Sequence, residues 1–191
     1  VKFDKGAVLV IAAAGSGKTK TLTYRVARLI ESGVAPENIL LLTFTKKAAD
    51  EMLNRAVMIL DSRCEKVAGG TFHSFSNAIL RKYSSYLDLK SNFTIIDRAD
   101  AEDVINHIRG QIIDKGEKRF PRKGTILDIY SKAINKNMAA QAVIEQEYRQ
   151  FEHCTEKINE ISREYAIYKR KNSLLDYDDL LLYLKTLLSS N

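Results

Sequence analysis

The sequence predicts an α/β protein, with a parallel-sheet core followed by an all-helical segment. Three observations carry this. Short apolar runs alternate with helical periodicity as far as Phe75. The first of these runs leads straight into a small, glycine-rich stretch. From about Asp97 onward only helical periodicity remains.

The elements follow in order. "AVLVI" (Ala7 to Ile11) reads as a strand buried on both faces. After the glycines, Leu22, Val26, Leu29 and Ile30 recur at helical spacing, and Gly33 ends the run. Ile39 to Thr43 forms a second buried strand. The helix after it has Ala49, Leu53, Ala56, Val57 and Leu60 on one face. "KVAGGTF" reads as a weaker third strand, followed by a helix from about Ser74 to Tyr83. Strand and helix in alternation imply parallel strands. Beyond them, Asp97 is a plausible N-cap for a helix striped by Val104, Ile105, Ile108 and Ile112. "ILDIYSKAI", "AVIEQEYRQF" and "EKINEISREYAIYKRK" continue the helical pattern, with "GEKRFPRKG" as a loop.

Composition bounds the function. The 191 residues are 45% hydrophobic and 28% charged, enough for a real core in one sizeable domain or two small ones. No apolar run approaches the ~20 residues that cross a bilayer, and no signal peptide is recognisable. Cys64 and Cys154 lack metal-ligand spacing and suggest a reducing compartment, so a cytoplasmic location is expected. A net charge of +6 suits a polyanionic partner without proving one.

"AAAGSGKTK", Ala12 to Lys20, lies between the first strand and its helix. A glycine-rich turn there is a phosphate cradle: backbone amides converge on oxygens at the positive end of a helix dipole. Ala12, Ala13, Ala14, Gly15, Ser16 and Gly17 keep the approach small. Lys18 would reach the outer phosphates, and the Thr19 hydroxyl would take a place on Mg²⁺. The strict pattern begins with glycine where this chain has Ala12, a mild departure. Nucleotide triphosphate and Mg²⁺ are the expected ligands, but the loop does not say what the triphosphate drives.

Two further segments narrow the choice. In "LLTFTKKAADEM", Thr45 is a fair N-cap, yet Lys46 and Lys47 fall in the first helical turn, where the dipole disfavours cations. An external anion would offset that. Phe44 stands at the strand end, where its ring can stack on a base; the alternative is a core phenylalanine beside two solvated lysines. "GGTFHSF" repeats this layout, and Thr71 and His73 are candidate donors to phosphate or sugar, with a local cap as the alternative for His73.

"AAAGSGKT", "LLTFTKKAADEM" and "GTFHSF", in this order and spacing, resemble the UvrD/Rep/PcrA-like group of superfamily 1 DNA helicases, and the resemblance covers essentially the whole chain. It implies that Lys18 and Thr19 serve ATP and magnesium. It implies that Thr43, Phe44 and Thr45 contact single-stranded DNA, Phe44 by stacking, and that Thr71, Phe72 and His73 form a second DNA contact. "LLDYDDLL" resembles the segment preceding the family's magnesium-binding acidic motif, and Tyr177 lies where the family usually has an aromatic near the DNA path. Lys46 stands where the family commonly has asparagine.

The implied fold is a RecA-like P-loop core, incomplete here at residues 1–75. A mostly helical insertion domain would occupy 76–191, with 174–191 returning toward the core. The basic loop Lys118 to Lys123 or the nearby run Tyr168 to Lys171 is expected to touch DNA backbone, the alternative being a solvated charged face. Asp176 to Asp179 is expected to be structural, because no apolar strand precedes it and helical leucines follow. Both chain ends read as cuts, and neither the "DExQ"-like motif nor the adenine-reading glutamine motif is present. The chain by itself is therefore expected to bind nucleotide weakly without turning it over. The implied activity is ATP-dependent DNA unwinding, 3′ to 5′, on single strands and duplex/single-strand junctions, without membrane partners. Rival readings are the helicase part of an AddA- or RecB-like helicase–nuclease, a P-loop kinase or GTPase, and a DNA-binding module with a vestigial nucleotide site.

Overall fold

A computed structural model of the protein describes residues 6–113 and 119–189. It divides into two compact units, Val1–Phe75 and Ser76–Asn191.

In the first unit, helix α1 (Lys18–Glu31) precedes strand β1 (Leu40–Thr43), helix α2 (Lys46–Ile59), strand β2 (Ala68–Thr71) and the start of helix α3 (Phe72–Tyr83). β1 and β2 pair in parallel, with Leu40 opposite Ala68 and Thr43 opposite Thr71. The expected helix start at Ser74 moves back to Phe72, because Thr71 and Ser74 cap one another: Thr71 Oγ1 accepts from the Ser74 amide at 3.1 Å, and Ser74 Oγ accepts from the Thr71 amide at 3.0 Å. Val26, Ile30, Ile39, Leu41, Met52, Ala56, Cys64 and Val67 form the core. The glycine pair in β2 has a packing reason. A Cβ on Gly69 would lie 2.5 Å from Leu53 Cδ1, so any larger residue there would oblige the Leu53 side chain to shift.

The expected strand Ala7–Ile11 is not formed. Among the described residues these five pair with nothing, and Leu9 and Ile11 are 85% and 89% exposed. An apolar strand of that composition needs ladder partners and covered faces, and a two-stranded sheet of β1 and β2 supplies neither to it. The α/β core is correspondingly thin.

In the second unit, strand β3 (Thr94–Ile95) is followed by helices α4 (Arg98–Ile112), α5 (Lys123–Lys136), α6 (Ala140–Glu147) and α7 (Thr155–Asn172). Strand β4 (Leu174–Leu175) and helix α8 (Tyr177–Ser189) complete it. Asp97 caps α4 as expected, accepting from the Asp100 amide at 2.9 Å. Ile105, Ile126, Ile129, Ile144, Ile158, Ile161 and Tyr165 build a fully buried core. A smaller cluster gathers Leu80, Phe93, Leu175 and Leu180. The all-helical expectation is corrected in one place: β3 and β4 pair in parallel, Thr94 with Leu174 and Ile95 with Leu175. An apolar strand does therefore precede Asp176. At two residues it is too short for alternation or length to reveal it.

A buried ionic cluster joins α7 to the start of α8. Lys169, 3% exposed, donates to Asp176 Oδ2 at 2.6 Å and Asp179 Oδ2 at 2.5 Å. Burial pulls the Lys169 pKa down, but the Asp179 carboxylate, the Tyr130 phenol and the Asp176 carboxylate outweigh it and hold the ammonium charged above its usual range. Burial also pushes the Asp179 carboxyl up, against the pull of Lys169. Tyr165 donates to Asp176 Oδ2 at 2.9 Å, and burial together with that carboxylate raises its phenol.

Two outcomes follow from this packing. Ile158→Ala opens a cavity at a site that is 0% exposed, and urea denaturation should show a loss of about 2–5 kcal/mol. A lysine raised above its unfolded value of 10.5 stabilises the fold fully below that pH and loses the contribution as pH climbs through the folded value. The urea midpoint should therefore show no loss from this lysine up to about pH 10.5 and a progressive loss above it, and a midpoint that stays flat as pH climbs beyond 10.5 would contradict the pairing.

Candidate nucleotide and nucleic-acid interface

The first unit holds two chemical features of the chain: a glycine-built helix start and a pair of exposed rings. At the helix start, Gly17 is the N-cap of α1 with φ 86°, and Gly15 has φ 77°. Both are left-handed, a conformation costing most other residues about 1–2 kcal/mol. No side chain caps the first turn, and no acidic residue lies in it. The amides at the start of α1 are thus left for an anion. No heavy atom lies within 4 Å of where a Gly15 Cβ would be, so an anion has room to approach the loop.

Lys18 folds back over the loop, donating to Ala12 O at 2.9 Å and Ala13 O at 2.6 Å. Ser16 Oγ donates to the same Ala13 oxygen at 2.6 Å. The ammonium is therefore held directly above the turn rather than extended into solvent. Thr19 is exposed and contributes its carbonyl to Thr23 Oγ1 at 2.9 Å. Lys20 is exposed, 5.7 Å from the Tyr24 ring centroid. The donor set of amides, one ammonium and one hydroxyl fits a polyphosphate with a hard cation.

The rings come from the strand register. Because Thr43 stands opposite Thr71, the residues that follow, Phe44 and Phe72, emerge side by side at the carboxyl ends of β1 and β2. Their centroids lie 6.1 Å apart at 54°. Phe44 is 91% exposed and Phe72 42%, so the core-phenylalanine alternative for Phe44 does not hold. Thr45 caps α2, accepting from the Ala48 amide at 3.2 Å, which places Lys46 and Lys47 in the exposed first turn. His73 is half-buried in the first turn of α3. The first turns of α1, α2 and α3 hold no acidic residue, as is also true of α5 and α6, whereas α4, α7 and α8 each hold at least one. The positive helix ends in this unit are kept free of internal anions.

Several expected positions lie elsewhere. Tyr177 belongs to the second unit, where it opens α8 and is 52% exposed. The basic loop 118–123 is not a surface aromatic hook. Lys118 lies outside the described residues, Phe120 is buried in the helical core, and Lys123 begins α5, bound to Asp103 Oδ1 at 2.6 Å. In the run Tyr168 to Lys171, Lys169 is sealed in its ionic cluster and only Arg170 and Lys171 are exposed. A sequence signal for this did exist: Ile158, Ile161, Tyr165 and Lys169 follow one another at helical spacing, so the lysine continues the buried stripe.

Similarity to known proteins agrees with this chemistry. The family model of the UvrD/REP helicase N-terminal domain matches residues 1–191. An ATP-dependent DNA helicase PcrA of Staphylococcus aureus is 34% identical over 187 residues, covering 95% of this chain and 24% of the relative. An ATP-dependent DNA helicase PcrA of Staphylococcus epidermidis is 34% identical over 184 residues, with the same coverages. The chain thus spans about a quarter of the length of the curated relatives it matches. With a family model matched from end to end, the chain belongs to the UvrD/REP helicase family, as an N-terminal domain.

Proposed function

We propose that this domain is the part of an ATP-dependent DNA helicase that holds ATP–Mg²⁺ and grips single-stranded DNA. The observation that carries the reading is the exposed Phe44–Phe72 pair, set by lysines at the carboxyl ends of two parallel strands in the unit that also bears the glycine loop. Ligands of parallel α/β sheets bind at those strand ends.

Ala12 to Gly17 form the cradle, whose amides face the phosphates. Lys18 exchanges two backbone carbonyls for the outer phosphate oxygens, and Lys20 adds positive charge beside them. Thr19 is the magnesium ligand. The nucleotide, when bound, supplies the free energy of hydrolysis that drives strand movement. Phe44 and Phe72 offer faces to bases, a sequence-tolerant contact, while Thr43, Thr45, Lys46, Thr71 and His73 meet the sugar–phosphate backbone. Tyr177 gives a further stacking surface. DNA strands at duplex/single-strand junctions, and movement 3′ to 5′, are carried over from the family resemblance.

Four outcomes test this reading. Phe44→Ala should weaken oligothymidylate binding, measured by fluorescence anisotropy, by about 1–3 kcal/mol. An unchanged affinity would remove the stacking role. Replacing Lys46 and Lys47 by glutamate should make the plot of log affinity against log salt shallower by roughly 1 or more, and an unaltered slope would mean that neither lysine meets phosphate. Gly17→Ala forces a side chain into a left-handed turn, so ATP-analogue binding should be lost together with about 1–2 kcal/mol of stability. Lys18→Ala should lose the same binding with stability intact, and tight analogue binding by that variant would contradict the cradle.

A further inference from the structure

The first turn of α8 is tethered by several side-chain hydrogen bonds, and it carries an exposed aromatic. Asp176 and Asp179, the residues on either side of Tyr177 and Asp178, bind each other reciprocally. The Asp179 amide donates to Asp176 Oδ1 at 2.9 Å, and the Asp176 amide donates to Asp179 Oδ2 at 3.0 Å. Both carboxylates then converge on Lys169 of α7, and Asp176 also receives the Tyr165 hydroxyl. Asp178 accepts from Asn135 Nδ2 of α5 at 2.9 Å. The Lys169 ammonium is enclosed by rings, 4.4 Å from the Tyr165 centroid and 5.1 Å from that of Tyr130. Those two rings meet edge to face with centroids 5.2 Å apart.

Stability alone does not call for this arrangement. Two carboxylates against one ammonium leave a net negative charge in a nearly closed space, and well-packed apolar side chains of similar volume commonly stabilise a fold as well or better. The cluster does accomplish something apolar packing does not. Hydrogen bonds have direction, so three tethered residues out of four fix the backbone on which Tyr177 stands. Tyr177 itself remains 52% exposed. A stacking platform gains affinity when its ring is already in place, because less freedom is lost on binding.

We propose that Lys169 is a positioning residue for nucleic-acid contact: acting through Asp176 and Asp179, it holds the start of α8 so that the Tyr177 ring is presented to a base. This rests on the reading of Tyr177 as a stacking surface. Lys169 touches no nucleic acid in this arrangement. It acts only through the aspartates.

The test is a double-mutant cycle in the intact polypeptide that carries this domain, with labelled oligothymidylate as the probe and anisotropy as the readout. Tyr177→Ala should weaken binding ~5-fold or more, as loss of one stacked base does. Lys169→Met should weaken it by a similar factor. The pair together should be no worse than Tyr177→Ala alone, because the two substitutions remove one contact. A lysine that served only the fold would give factors that multiply. If Tyr177→Ala leaves binding unchanged, the stacking role of Tyr177 fails, and this inference with it. If Tyr177→Ala weakens binding but Lys169→Met does not, or weakens it equally in both backgrounds, the positioning role alone fails. Should Lys169→Met lose its helical circular dichroism, Asp179→Ala takes its place. That variant leaves the ammonium paired with Asp176 while cutting one tether, and the same two results decide.

Discussion

Much of the chemistry of the first unit depends on one register. With Thr43 set opposite Thr71, two parallel strands end at the same level. The chain leaving each strand must then turn into a helix at the same edge. Two ring-bearing residues and two helix starts capped by neutral hydroxyls are brought to the same edge by that register. The glycines of β2 shape what packs against that strand. A side chain at Gly69 would collide with Leu53, and one at Gly70 would come within 2.9 Å of Ser74 Oγ. The small residues before Thr71 are therefore part of the interface, although they touch no ligand.

Electrostatics reinforces what the register arranges. Helix starts favour anions, and most proteins satisfy part of that preference with their own Asp or Glu. In α1, α2 and α3 the chain leaves it unsatisfied and adds Lys18, Lys20, Lys46 and Lys47 close by. Each lysine so placed is mildly destabilising on its own account, which is tolerable where a polyphosphate or a DNA backbone is the intended neighbour. In the second unit three helix starts carry acids, Asp100 in α4, Glu156 in α7, and Asp178 and Asp179 in α8, while α5 and α6 carry none.

The legible parts of the sequence were those where one local rule decides the outcome. Thr45 and Asp97 cap helices because a short side-chain oxygen reaches the third amide, and no tertiary partner is needed. The readings that failed depend on partners distant in sequence. Ala7 to Ile11 has strand composition, but a strand is a relation between segments, and none of the described residues pairs with it. Leu174–Leu175 is a strand only because Thr94–Ile95 lies beside it. Phe120 resembled a surface ring by its basic neighbours, yet burial is decided by the helices around it, and the Arg109 guanidinium stacks over it at 5.7 Å.

Lysine shows how far local sequence falls short of function. Lys46 and Lys169 both lie in runs of cations beside an aromatic. Lys46 opens a helix, where the side chains of the first turn point outward and toward the positive end of the dipole, so its charge is offered to an external anion. Lys169 occupies the fourth step of a stripe already buried at Ile158, Ile161 and Tyr165, so its charge is forced inward and must find carboxylates there. Helical phase, rather than residue type or net charge, thus separates a cation offered to solvent from one enclosed among carboxylates. On this argument the basic character of the chain bears on a partner only through those lysines and arginines whose helical phase points them to solvent, while the inward one is spent on Asp176 and Asp179.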